Sequence, residues 1–379
     1  MSLEEIRKEI DLIDTELAQL FKKRMDCAKR VAEIKKSENK AILNRTRERE
    51  IISRVTEITG KEIESQTKVL YSTLFDLSRS YQMQHITGAG SMEEKIKNAL
   101  KNTPSIFPKK AVVACQGIEG AYSQLVCDRL FSLPSIMYFN DFEGVFSAVE
   151  NGLCEYGILP IENSSYGSVN KVYDLMKKYK FYIAKSIKFR VNHALLVKKG
   201  ANLSSNTEIF SHEQALGQST EFLKNFPSAK ITICENTALA AKMVAESQRC
   251  DVAALSSKDC AAIYSLEIAD ENVQDSDNNY TRFICISKDL EIYPGADKIS
   301  LMLTTSHKPG ALYELISKFS ALGLNLTKLE SRPIPGTDFE FMFYFDIEAS
   351  IYDEQVIKLL SSLSEDSFQF TFLGSYTEN

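Results

Sequence analysis

Leu3, Ile6, Ile10, Ile13, Leu17 and Leu20 step along the N-terminal segment by three and four residues in alternation. That is a heptad seam, a pattern that only an α-helix keeps on one side. Continuing the count places Arg24, Cys27, Val31 and Ile34 in the same seam. A guanidinium therefore stands where the pattern reserves an apolar side chain, and a buried guanidinium needs an anion. The spacing predicts a second helix over about Thr46 to Ile58, stopped by Gly60, and a third over about Glu64 to His85, ending near Thr87-Gly88. Arg24 and Lys35, 11 residues apart, are separated by about three turns of roughly 3.6 residues and project from one face. Arg7 lies about 100° round from Arg24 on an ideal helix, so a partner subunit is the natural source of an arginine there. Ser78 and Gln82, four apart, face together on the third helix. A solvated helix rich in Lys and Arg accounts equally for Arg7 and Lys35, but less well for Arg24 in its seam.

The chain of 379 residues exceeds one ordinary core, at about 150 residues per domain. Residues 1–88 form the helical block. Residues 89–110 carry Gly90, Pro104 and Pro108 around one short amphipathic piece and are expected to be a linker. The period then changes. AVVAC, YGILPI, HALLV, EIFS, ITIC, VAAL and RFICI are predicted strands alternating with helices, so an α/β domain is expected over 111–288. From Lys298 the order strand, helix, strand, strand, helix, strand predicts an α+β ferredoxin-like domain over 298–379, with Phe339, Phe341, Phe343 and Phe345 alternating on one strand.

Four predicted strand ends in the middle block carry polar groups. CQGIEGAYS offers glycines and a helix start at Ser123, a weak anion signal. ILPIENSSYGSV sets Glu162, Asn163 and Ser164 beyond a buried strand, where open α/β sheets bind ligands, although turn chemistry alone also favours Asn and Ser. FSHEQALGQ presents Ser211, His212 and Gln214, and Ser211 would also serve as a helix cap. NNYTRF brings Thr281 and Arg282 to the mouth of an apolar strand. Together they suit a cleft for a polar anion between two lobes.

Several classes are excluded or disfavoured. A net charge of -6 argues against a general nucleic-acid surface. Eight cysteines without a C-x-x-C pair fit reduced thiols in the cytoplasm, and neither a signal core nor a membrane-length apolar run is present. No G-x-S-x-G occurs, and Ser211 beside His212 cannot make a triad by adjacency. His193 and His212 lack neighbours at metal-ligand spacing. No metal or cofactor is expected.

Three resemblances cover nearly the whole chain. LEEIRKEIDLIDTELAQLFKKR, VAEIKK, NRTRERE and LSRSYQ, in this order, resemble the all-helical chorismate mutase domain. The resemblance implies ligand-binding roles for Arg7, Arg24, Lys35, Arg47, Glu48, Ser78 and Gln82, with Asn44 where the family often has aspartate. Turning chorismate into prephenate is an intramolecular pericyclic shift, which needs only a held conformer and stabilised charge on the ether oxygen. Arginines would grip the two carboxylates, Lys35 and Gln82 would donate to the ether oxygen, and Glu48 would accept from the ring hydroxyl.

QGIEGAYS, GILPIENSSYGSV, SHEQALGQ and NNYTRF resemble prephenate dehydratase, whose domain is a two-lobed, periplasmic-binding-protein-like α/β fold. The implied site is Asn163, Ser211, Gln218, Thr281 and Arg282, with Glu162 and Ser164 close by, and Glu213 replaces the family's usual proline. The implied reaction expels the ring hydroxyl and carbon dioxide from prephenate. Either Thr281, in a hydrogen-bond network, or Glu162 supplies the proton. Arg282 either binds a carboxylate or orders Thr281 by pairing with an acid.

TTSHKPGALYELISKF and KLESRPIPG resemble a phenylalanine-sensing ACT domain, although Pro-Gly and Ser-Arg-Pro are also plain turn chemistry. The resemblance implies allosteric L-phenylalanine at Gly310, Ala311 and Leu312 and at Glu330, Ser331, Arg332 and Pro333, in a homodimer or dimer of dimers, with Tyr313 where the family has threonine. The order of blocks resembles the bifunctional chorismate mutase/prephenate dehydratase family. Competing readings are an arogenate dehydratase and a non-catalytic phenylalanine sensor.

Overall fold

The seam forms as one helix. The structure, a computed structural model, describes residues 2–38, 40, 44–86, 91–204, 207–305, 307, 309–334, 340–366 and 369–379. Helix α1 (Leu3–Ser37) opens on a capping box, in which the Ser2 side chain accepts from the Glu5 N–H and the Glu5 side chain accepts from the Ser2 N–H. Helix α2 (Arg45–Thr59) starts at the Asn44 cap and ends at Gly60, whose φ of 76° suits glycine. Helix α3 (Glu64–Ile86) follows, and the predicted stop at Thr87-Gly88 lies outside the described residues.

The leucines and isoleucines of the seam are not what packs within the chain. Ala28 and Ala32 are buried, while Leu3, Ile6, Ile10, Ile13, Leu17 and Leu20 remain 41–64% exposed. Small side chains let α1 approach α3, and the large apolar ones point elsewhere.

The linker expectation over 89–110 needs correction. Helix α4 (Ser91–Asn102) seats Ile96 and Ala99 in one core with Leu301, Phe319, Phe345 and Leu360 of the C-terminal unit. Gly90 lies outside the described residues.

The first lobe of the α/β region runs β1 (Lys110–Gln116), α5 (Tyr122–Leu130), β2 (Leu133–Phe139), α6 (Phe142–Glu150), β3 (Tyr156–Asn163), β4 (Gly167–Ser168), α7 (Asn170–Tyr179) and β5 (Tyr182–Arg190). The chain then crosses to a second sheet. That lobe holds β6 (Ala194–Val197), β7 (Glu208–Ser211), α8 (Glu213–Gly217), α9 (Thr220–Leu223), β8 (Lys230–Ile233), α10 (Thr237–Glu246), β9 (Val252–Ser256), α11 (Asp259–Ile263) and β10 (Glu267–Asp270). It returns in β11 (Tyr280–Ser287), completing a first sheet ordered β2-β1-β3-β11-β5, with β4 on β3, beside a second ordered β10-β6-β9-β7-β8. Two crossovers, near residues 191–193 and 271–279, therefore join the lobes.

The C-terminal unit is β12 (Lys298–Thr304), α12 (Ala311–Ala321), β13 (Asn325–Pro333), β14 (Phe341–Glu348), α13 (Glu354–Asp366) and β15 (Phe370–Tyr376), with sheet order β13-β14-β12-β15. This is the ferredoxin-like βαββαβ arrangement. Phe345 reaches its helix-side core, as the alternation predicts; Phe339 lies outside the described residues. The opposite face of the sheet is equally buried, because Met302, Met342, Tyr344 and Leu373 share a core with Val172, Tyr173 and Ile183 of the first lobe.

Candidate active sites

On α1, Arg24 turns onto α3. Its guanidinium donates to the Leu74 carbonyl at 2.9 Å and to the Ser78 hydroxyl, and lies 5.8 Å from the Phe75 ring centre. Burial holds its pKa below the ordinary arginine value, with Tyr71 opposing. Among the described residues its contacts are thus a carbonyl, a hydroxyl and a ring.

Lys35, three turns on, also has its pKa lowered by burial, with Glu48 opposing, which puts Glu48 of α2 within electrostatic reach. Ser78 and Gln82 are buried on α3, and Gln82 Oε1 has no hydrogen-bond partner among the described residues. An unsatisfied buried amide is costly unless something fills the space beside it. Arg79 was not singled out from the sequence, although it lies inside LSRSYQ. It grips both Glu48 and Asp76 and so fixes Glu48.

Other predicted mutase residues stand apart. Arg47 pairs with Glu50 at 3.0 Å on an exposed face, and its N–H donates to Asn44 Oδ1 at 3.0 Å. Asn44 is thus the α2 cap. Arg7 lies on the exposed half of α1.

In the α/β region, β11 pairs with β3 so that Thr281 stands opposite Asn163 and Arg282 opposite Glu162. Asn163 Oδ1 accepts the N–H groups of Ser165 and Tyr166 at 2.9 and 3.0 Å, which orients the amide. Its Nδ2 then donates to Thr281 Oγ1 at 2.8 Å and to Asn279 Oδ1 at 3.1 Å. Since the Thr281 oxygen accepts from Asn163, its own O–H proton is left to donate elsewhere.

The network continues across the crossover. Asn279 Nδ2 donates to Gln218 Oε1 at 2.9 Å, and the same oxygen stands 3.0 Å from His193 Nε2. An acceptor already serving Asn279 requires His193 to donate from Nε2. Burial lowers the His193 pKa, with the Gln218 bond opposing. Asn279 is 2% exposed and was missed at the sequence level, although NNYTRF contains it. His193, also buried, is the network's far end.

A cavity of 280 Å³ adjoins this network, lined by Tyr166, Gly217, Gln218, Gln274, Ser276 and Asn279. The Tyr166 hydroxyl lies against Gly217 where a Cβ would stand, so the two lobes meet there. They meet again at the glycine turn, because a Cβ on Gly120 would come 2.7 Å from Cys260 Sγ. The glycine turn of CQGIEGAYS thus packs against the second lobe.

Several expectations for this block need correction. Ser211 is fully buried and donates to the Leu255 carbonyl at 2.7 Å, so its hydroxyl serves β7–β9 contact rather than the cleft network. The cap of α8 is His212 rather than Ser211, its Nδ1 accepting from the Gln214 N–H at 3.2 Å, and α9 follows as a separate short helix. Ser164 staples the crossover, accepting from the Tyr280 N–H at 3.0 Å and donating to the Asn278 carbonyl at 2.9 Å.

Glu162 and Arg282 also leave the cleft. Neighbouring residues of a strand face opposite ways, so they point away from Asn163 and Thr281 into a separate cavity of 180 Å³ against the C-terminal sheet. There Arg282 is 7% exposed and meets Asp346 at 2.5 Å, while Glu162 meets Lys328 at 3.0 Å. Of the two roles expected for Arg282, pairing with an acid is the one observed. Glu162 lines this cavity with Arg282, and Thr281 does not.

The ESRP stretch divides by the same alternation. Ser331 and Pro333 are exposed, while Glu330 accepts from Ser168 and Arg332 lies about 5 Å from the Tyr173 and Tyr344 rings. Gly310 takes the left-handed conformation ahead of α12, Ala311 is buried, Leu312 packs at the helix-side core and Tyr313 is exposed. Among the described residues no helix is long and apolar enough to cross a membrane, and all eight cysteines are free.

Comparison with known proteins agrees with this layout. The family model of chorismate mutase type II matches residues 6–83, and that of prephenate dehydratase matches 113–291. A bifunctional chorismate mutase/prephenate dehydratase of Aquifex aeolicus is 32% identical over 378 residues, covering 99% of this chain and 97% of that protein. An Arabidopsis thaliana chloroplastic arogenate dehydratase/prephenate dehydratase is 34% identical over 276 residues, covering 70% of this chain and 72% of that protein. Among solved structures, prephenate dehydratase from Arthrobacter aurescens in complex with L-Phe superposes with a TM-score of 0.64 at 26% identity, covering 70% of this chain and 89% of that one. With both family models matched in order and a relative aligned nearly end to end, the chain belongs to the bifunctional chorismate mutase/prephenate dehydratase family.

Proposed function

We propose that this chain converts chorismate to prephenate between its helices and prephenate to phenylpyruvate in the cleft of its α/β domain. The dehydratase half is carried by one observation: Asn163 donates to Thr281 Oγ1, so the Thr281 proton is available to a departing hydroxyl. Decarboxylation delivers the C–C bonding pair into the ring, the ring C–O bond breaks, and hydroxide leaves and takes up a proton as water. A hydrogen bond from Thr281 stabilises that departure as charge builds. Glu162, ion-paired on the other face of the sheet, does not compete for this role.

For the mutase half, Arg24 binds a substrate carboxylate, Lys35 and Gln82 address the ether oxygen, and Glu48, held by Arg79, accepts from the ring hydroxyl. The uncovered α1 seam supports a homodimer in which a second copy packs on it and brings Arg7 to the Arg24 pocket. The C-terminal unit is read as an ACT domain that binds L-phenylalanine through Gly310 to Leu312 and the outward residues Ser331 and Pro333. Its topology and the L-Phe complex of the Arthrobacter relative support this. The nine-residue β13 is an unpaired sheet edge, which supports pairing with a second copy.

Purified full chain is expected to turn chorismate into phenylpyruvate and to slow when L-phenylalanine is added. Lys35→Ala should stop prephenate formation alone, and Thr281→Ala should stop phenylpyruvate formation alone. Turnover of neither substrate would favour a non-catalytic sensor. Because of the Arabidopsis relative, arogenate is assayed beside prephenate, and a preference for it would replace the second reaction.

A further inference from the structure

Thr281 and Arg282 are consecutive on β11 and face opposite ways, so whatever fixes the guanidinium on one face also fixes the hydroxyl on the other. The C-terminal unit builds that fixture. Asp346 of β14, 4% exposed, accepts from Arg282 at 2.5 Å, and its other oxygen accepts from Ser300, whose hydroxyl lies 2.7 Å from that of Tyr376. On the neighbouring strand, Lys328 of β13 holds Glu162 at 3.0 Å and donates to Ser168 of β4 at 2.7 Å. On the β3 side the backbone register shifts between Arg282 and Phe283, while on the β5 side Thr281 and Arg282 stay paired with Phe189 and Lys188. A bulge beside a reacting group re-aims its side chain, and the aim must then be held by something else.

We infer that Asp346 and Lys328 are positioning residues for the dehydratase, holding through Arg282 and Glu162 the two strands whose opposite face carries Thr281 and Asn163. The inference rests on the reading of Thr281 and Asn163 as the dehydratase centre. It makes that site dependent on side chains from the C-terminal unit, outside the residues 113–291 that match the dehydratase family model.

Asp346→Asn in the full chain removes the charge and keeps an acceptor for Ser300. Dehydratase kcat is expected to fall about tenfold or more, with KM for prephenate changed less than about threefold, because misaim of a bound substrate's partner lowers kcat. Mutase turnover of the same preparation should be unchanged, and Lys328→Met should show the same split more weakly. The double variant Arg282→Met, Asp346→Leu removes both charges together, so its folding does not depend on an unpaired buried ion. Loss of kcat in this double variant supports the inference even if Asp346→Asn fails to fold, and parental kcat overturns it. Thr281→Ala separates the two ideas: if it is inactive while Asp346→Asn is fully active, positioning fails alone. If Thr281→Ala itself dehydrates prephenate normally, the site reading fails.

Discussion

A single amide decides what the Thr281 hydroxyl can do. Two backbone N–H groups pin the Asn163 oxygen, which leaves its nitrogen as the donor, and Thr281 is thereby made an acceptor toward Asn163 with its own proton left to donate. Asn279 extends the arrangement to Gln218 and His193 across the lobe junction. Asn279→Ala removes a partner from two half-buried amides at once, Asn163 and Gln218, at a cost of up to roughly 1–3 kcal/mol for each polar group left unsatisfied. Dehydratase kcat is expected to drop by at least about tenfold, taking 1.4 kcal/mol per tenfold as the scale. Steady-state assays of both reactions check this, and equal loss of mutase turnover would point to misfolding instead.

At the scale of elements, α1 uses two stripes. The alanine stripe, Ala28 and Ala32, lets α1 lie close to α3, while the leucine and isoleucine seam stays uncovered within one chain. An apolar stripe of this length on a soluble helix is a packing surface. Leu17→Asp places a charge in the middle of the seam while touching none of the buried residues of α1. Sedimentation velocity is expected to show dissociation toward monomer, with mutase turnover falling because Arg7 no longer reaches a neighbouring pocket. Because β13 offers a second contact, it is the parental oligomer together with parental mutase turnover after Leu17→Asp that would exclude the seam as an interface.

For the whole molecule, the dehydratase lobe and the C-terminal sheet behave as one packed body. Strand β15 approaches β5 so closely that a Cβ on Gly374, where φ is 139°, would lie 2.5 Å from the Ile183 carbonyl oxygen. The chain end continues the contact, with the Ser186 N–H donating to the Thr377 carbonyl at 3.1 Å and the Lys188 N–H to that of Asn379 at 2.9 Å. Gly374→Val combines a disallowed backbone angle with overpacking against main chain, and should destabilise by roughly 1–3 kcal/mol or more. Calorimetry is expected to show a lower unfolding temperature for the α/β and C-terminal portion, with dehydratase activity more affected than mutase.

Periodicity carried much of this into the sequence. The 3–4 alternation gave α1, Gly60 gave the end of α2, and the βαββαβ order was readable because its strands and helices have strong, separate periods. Strands β2 and β5 were not predicted: β2 is a half-exposed edge containing Pro134, and β5 interleaves Lys185 and Lys188 with its apolar residues, so neither reads as a buried run. Motif chemistry brought Thr281 and Asn163 forward, and the family resemblance Gln218, but neither gave a means of telling them from Glu162, Arg282 and Ser211. The sequence by itself determined the order of the domains and the pool of polar residues, because period and composition are local. Which face of β3 and β11 each residue occupies, and which domain answers it there, was decided only by the tertiary structure, since strand pairing, the bulge beside Arg282 and the docking of a distant sheet are non-local contacts.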